Sequence, residues 1–130
     1  MIYEISLQSK NHEEMIDITA QVRELLVREN IQEGIAVIFS PHTTAGIVIN
    51  ENADPDVQAD FLGRLAELFP WKREGDLHLE GNSAAHLKAS TIGTSQTVFI
   101  QKGELLLGRW QGIYFCEFDG PRNRTCYIKI

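Results

Sequence analysis

The chain is poor in cysteine: its 130 residues include only Cys116 and Cys126. Neither belongs to a metal-type Cys pair, and both sit in apolar, β-rich sequence. A disulfide framework is excluded on that count, and two reduced core thiols are expected. Basic residues are scarce too. Twelve Lys and Arg against eighteen Asp and Glu give a net charge of −6, which removes the clustered positive charge a nucleic-acid surface needs. No apolar run approaches the ~20 residues of a membrane span, and Met1 to Leu7 lack the basic and apolar regions of a secretory signal. A soluble, cytoplasmic protein with no nucleic-acid or membrane partner is expected. Ser83, Ser90 and Cys116 have no acid–histidine order around them, which argues against a nucleophilic triad.

What is present is enough for one domain over residues 1–130, with 43% hydrophobic and 23% charged residues. The chain is organised around Ser40-Pro41-His42-Thr43-Thr44-Ala45-Gly46, which separates the apolar runs Ile35 to Phe39 and Ile47 to Ile49. Such short runs bounded by turn residues read as buried strands, with the polar cluster presented at a strand end. Tyr3, Ile5 and Leu7 alternate as an opening strand, and Met15 to Ile18 form another. Thr19 caps a helix to about Asn30 with Val22, Leu25 and Leu26 on its apolar face. Asp54-Pro55 starts a second helix that Pro70 stops. Ser83 to Ala89 suggest a short third one inside a long polar loop. The remainder reads as strands, with Lys102-Gly103 as a hairpin turn. Strands are not interleaved regularly with helices. The fold class is therefore α+β, with mixed, largely antiparallel sheets and two main helices.

Four histidines occur. His12 lies in a polar connection and reads as solvated. His42, His78 and His86 lie among small and polar residues, and three neutral imidazoles with an open position match the ligand count of a catalytic zinc site. The alternative is hydrogen-bonding loop histidines that bind nothing, since His78 and His86 lack helical i, i+4 spacing. Asp60 and Glu51 are candidates for a base or for orienting a metal-bound imidazole. Arg122 and Arg124 flank a turn, where Lys88 and Arg109 could join them to bind phosphate or carboxylate.

Four segments occur in one order: His42-Thr43-Thr44-Ala45-Gly46-Ile47; Ile49-Asn50-Glu51-Asn52-Ala53-Asp54-Pro55-Asp56-Val57; His78-Leu79-Glu80-Gly81-Asn82 with Ala85-His86-Leu87-Lys88; and Gly103-Glu104-Leu105-Leu106-Leu107-Gly108-Arg109-Trp110-Gln111. As a set they resemble the secondary thiamine-phosphate synthase family, end to end. The resemblance implies an α+β homotrimer with histidines near subunit boundaries, and a transferase that joins hydroxymethylpyrimidine diphosphate to a thiazole phosphate with release of pyrophosphate. It also implies His42, His78 and His86 as metal ligands. Glu51 and Asp60 become the catalytic candidates, and Asn50, Asn82, Ser90, Gln111 and Arg122 the candidates for binding a small phosphorylated substrate. Three imidazoles favour Zn²⁺, whereas Mg²⁺, the usual partner of pyrophosphate, prefers oxygen ligands. Two other readings follow from the same residues: a metal-dependent hydrolase with Asp60 or Glu51 as base, and a non-enzymatic trimer that holds a small ligand or metal.

Overall fold

A computed structural model describes residues 1–130. In chain order it contains β1 (Ile2–Gln8), β2 (Glu14–Asp17), α1 (Thr19–Arg28), β3 (Gly34–Phe39), β4 (Ala45–Glu51), α2 (Pro55–Leu68), α3 (Ser83–Ile92), β5 (Ser95–Gln101), β6 (Glu104–Leu105), β7 (Gln111–Glu117) and β8 (Asn123–Lys129). The strands form a five-stranded sheet in the order β1-β8-β3-β5-β6 and a three-stranded sheet in the order β2-β7-β4. Every pairing is antiparallel. The α+β architecture expected from the sequence is the one observed, with α3 as a full third helix of ten residues.

Two apolar layers hold it together. The first lies between the sheets, where Ile38, Val98, Cys126 and Ile128 of the larger sheet meet Ile47, Ile113 and Phe115 of the smaller one, with Val22 and Leu26 of α1 closing its edge. The second lies on the far side of the smaller sheet, where Tyr114, Cys116 and Phe118 pack against Leu65 of α2 and Ala85 and Ala89 of α3. Alternate residues of β7 thus point into different layers, and the strand is buried from Gly112 to Glu117. The hydroxyl of Tyr114 accepts from Gln58 Nε2 at 2.8 Å and donates to the Glu51 carbonyl at 3.1 Å, which ties α2 to the sheet. Cys116 and Cys126 are free and buried, and burial pushes the Cys126 thiol up to about 12 and the Cys116 thiol higher still.

Local chemistry explains most of the boundaries. Asp54 caps α2 by accepting from the Asp56 N–H at 2.9 Å, with Pro55 at the first helical position. The start of α1 differs from expectation: Thr19 is already helical, and its N–H and hydroxyl both donate to Asp17 Oδ1. Its oxygen instead accepts from the buried Ile113 N–H at 2.8 Å, fastening α1 to β7. Lys102 and Gly103 have φ of 53° and 77°, the positive pair that a two-residue hairpin turn demands. Leu68, the last residue of α2, is exposed.

Gly46 and Gly63 give opposite expectations for one substitution. A Cβ on Gly46 would lie 2.6 Å from the Gly93 carbonyl oxygen, which also accepts from Ile47 N–H, so β4 and the end of α3 would be forced apart. A Cβ on Gly63, inside α2, meets nothing within 4 Å. Urea unfolding should therefore show Gly46→Ala destabilised by ~1–3 kcal/mol and Gly63→Ala stabilised by roughly 0.5–1 kcal/mol.

Candidate functional site

The two sheets are joined at one end by charge. Glu117, the last residue of β7, is fully buried and pairs with Arg124 of β8, which is 7% exposed. Arg124 Nε donates to Glu117 Oε1 at 2.8 Å, and its Nη2 contacts Glu117 Oε2 and donates to Thr44 Oγ1 at 2.8 Å. Ser9 Oγ and the Asp119 N–H also donate to the Glu117 carboxylate, at 2.6 and 3.0 Å. Burial alone would raise the Glu117 carboxyl, but these donors outweigh it and hold it below the ordinary 4.5.

Above this pair opens a pocket of about 330 Å³ with no hydrophobic side chain in its lining. The connection between β3 and β4 supplies His42, Thr43 and Thr44 to it. The loop before α3 gives Glu80 and Asn82, α3 itself gives His86, and the β7–β8 segment contributes Asp119, Arg122 and Arg124. Asp119 is the hub of its wall. Its Oδ2 accepts from Asn82 Nδ2 at 2.8 Å and from Arg122 Nη2 at 2.9 Å, while its carbonyl accepts from Arg122 Nε at 2.7 Å. Asn82 Oδ1 is the one buried side-chain polar atom without a hydrogen-bond partner.

His42 Nε2 accepts from the Thr125 N–H at 2.9 Å. Burial first, then the Arg124 charge, lowers the imidazole below its ordinary 6.5, with the Thr125 carbonyl and Glu117 charge only partly offsetting them. His42 is thus mostly neutral at pH 7, and its Nε2 faces both the Thr125 N–H and, at 3.2 Å, the Thr125 carbonyl, so either tautomer finds a partner there. His86 shares the pocket, whereas His78 stands edge-on to His86 with ring centroids 5.2 Å apart, in an adjoining pocket of about 390 Å³ that also includes Asp76 and Ser83. No group of three or more His, Cys, Asp or Glu side chains is placed to hold a metal ion. In this structure the three imidazoles are neighbours without forming a ready-made cluster, with His42 and His86 in one pocket and His78 in the next.

Of the other expected site residues, Asn82 and Arg122 reach the pocket. Asn50, Glu51 and Gln111 lie at the opposite end of the smaller sheet, where Glu51 pairs with Gln111 while Ala45, beside the pocket, pairs with Glu117. Seven residues of strand separate the two ends by ~20 Å. Asp60 is exposed on α2, and Ser90 Oγ donates to the His86 carbonyl of its own helix at 2.8 Å. The two remaining bases lie elsewhere: Lys88 Nζ is buried on Glu13 at 2.7 Å, and Arg109 stacks on Trp110 at 4.7 Å. His12 is more than a solvated residue, since it stands edge-on to Trp71 with Nε2 3.8 Å from Asp119 Oδ1. Sequence reasoning missed Glu117, Asp119 and Thr44. The signal for the first was a lone carboxylate in the apolar run Ile113 to Phe118.

Glu117→Gln leaves the Arg124 charge buried without its counter-ion and should cost ~3–5 kcal/mol at pH 7 in urea unfolding. Because the folded Glu117 carboxyl lies below 4.5, its contribution is complete above that pH and is lost as pH falls through the folded value. The difference between wild type and variant should accordingly shrink in acid. The His42 imidazole should titrate below 6.5 by NMR, its contribution being full above that pH and fading as the ring protonates on acidification.

Comparison with known proteins places this geometry in a family. The model of the UPF0047, YjbQ-like proteins matches residues 3–130. The UPF0047 protein YugU of Bacillus subtilis is 57% identical over 130 residues, covering 100% of this chain and 98% of its own length. A UPF0047 protein of Methanocaldococcus jannaschii is 50% identical over 130 residues, covering 100% of this chain and 94% of its own. Among solved structures, an uncharacterized conserved protein of the YjbQ/UPF0047 family from Clostridium acetobutylicum superposes with a TM-score of 0.94 at 53% identity, covering 98% of both chains. These names carry no thiamine-phosphate synthase and no metal-dependent enzyme. The synthase resemblance is corrected accordingly, and the transferase and metal-enzyme readings fall with it. The chain belongs to the YjbQ-like UPF0047 family.

Proposed function

We propose that the chain binds a small, hydrophilic, phosphorylated ligand in the pocket above the Glu117–Arg124 pair. The observation that carries this reading is the lining, polar but for Pro41, in which the buried Asn82 Oδ1 has no protein partner. Arg122 and Arg124 each spend Nε and Nη2 on protein oxygens and keep Nη1 without a protein acceptor. Guanidinium N–H groups of this kind suit phosphate oxygens, and the Thr43 hydroxyl adds an uncharged donor. His42, Asn82, His86 and Arg122 then serve as ligand contacts. Arg124 is held in place by Glu117 and costs no reorganisation on binding.

Homotrimeric assembly is part of the proposal. Its support is the larger sheet, which leaves Ile2, Ile35, Phe39 and Phe99 between 42% and 68% exposed, apolar side chains that a neighbouring chain would cover. Residence in the cytoplasm is proposed from the two unoxidised buried thiols. No helix is long and apolar enough to cross a membrane.

Calorimetric titration with inorganic phosphate should give saturable binding, weakened ~10–100-fold in Arg122→Ala, the scale of one charged hydrogen bond. Saturable binding that Arg122→Ala leaves unchanged would place the anion elsewhere. Light scattering should return the mass of three chains, and a monomer would sink the assembly.

A further inference from the structure

The pocket has two chemically different walls. On one side lie the donors: Arg124 with Thr44, and His42. On the other lie Glu80, Asn82 and Asp119, joined through the Asn82 amide. Asn82 Nδ2 donates to Asp119 Oδ2 at 2.8 Å and approaches Glu80 Oε2 at 3.4 Å. Turning the amide over would set its oxygen against two carboxylates, so the orientation is fixed by charge. Asn82 Oδ1 is therefore locked as an acceptor, on a residue only 5% exposed, with no donor to meet it.

The two neighbouring carboxylates are underused in the same sense. Asp119 Oδ1 and Glu80 Oε1 accept no hydrogen bond from the protein: His12 Nε2 stands 3.8 Å from the first and His78 Nε2 4.0 Å from the second, both beyond hydrogen-bond reach. Three acceptors on one wall thus lack a donor, and two of them are anionic. A primary ammonium carries three N–H donors and one positive charge.

Resting on the phosphate-binding reading above, we infer that this wall is an ammonium subsite and that the ligand is a small phosphate ester bearing a primary amine. The ammonium donates to Asn82 Oδ1, Glu80 and Asp119 while the phosphate meets the arginines. Asp119 acts as a positioning residue as well, because it holds the Asn82 amide in its accepting orientation.

The test is calorimetric titration of the full chain with O-phosphoethanolamine, with propyl phosphate, in which a methyl group replaces the ammonium, and with inorganic phosphate. O-Phosphoethanolamine should bind about tenfold or more tightly than propyl phosphate, the scale of one charged hydrogen bond. Glu80→Gln, at a side chain 67% exposed and so free of any role in the core, should erode that preference, read as the ratio of the two ester affinities in the same variant. Equal affinity for the two esters would overturn the ammonium subsite and leave the phosphate reading standing. A preference that Glu80→Gln does not touch would remove Glu80 from the subsite and overturn the assignment as drawn. Absence of binding by all three probes would overturn both the subsite and the reading on which it rests.

Discussion

A buried ion pair between two sheets is a demanding constraint. Glu117 belongs to the smaller sheet and Arg124 to the larger, and they meet where the strands β7 and β8 approach each other across a short turn. Neither charge tolerates that environment alone. Satisfying them draws in Ser9 from the end of β1 and Thr44 from the start of β4. Four separate chain segments are thereby held at one end of the molecule, and the polar pocket is built on the platform they form. The guanidinium is a structural part and a part of the pocket lining at once.

The second organising feature is β7. Its alternate residues serve two different apolar layers, and it is flanked by a strand on each side. The helices that cover the smaller sheet carry His86 and the loop with Glu80 and Asn82, so their seating on Tyr114, Cys116 and Phe118 sets where the acceptor wall stands. Gly46 contributes to the same seating by letting the carbonyl of Gly93 approach β4. Packing and site geometry are in this respect one arrangement.

Much of this could be read from the residues. Period-two alternation in Tyr3, Ile5 and Leu7, the Asp54-Pro55 helix start and the Lys102-Gly103 turn each act through local chemistry, and each lies where expected. The site was half visible. His42, His86, Asn82 and Arg122 converge, but Asn50, Glu51 and Gln111 do not, because strand length puts them at the far end of β4 and β7. Which end of a strand faces a pocket is a property of sheet pairing, and pairing between β4 and the distant β7 leaves no trace in local sequence. His42 shows the same limit: its imidazole looked like a free ligand until Thr125, 83 residues away, was found donating to it.

The order of strands has a consequence for synthesis on the ribosome. β1 has β8 as its sole partner, and β2 and β4 both depend on β7. Three of the first four strands to emerge therefore wait for strands made near the end of the chain. Until then Tyr3, Ile5 and Leu7, and the apolar run of β4, face solvent with unpaired edges. Folding of this chain is consequently concentrated in the moment when β7 and β8 clear the exit tunnel, and the nascent polypeptide carries its earlier strands unpaired until those two are made.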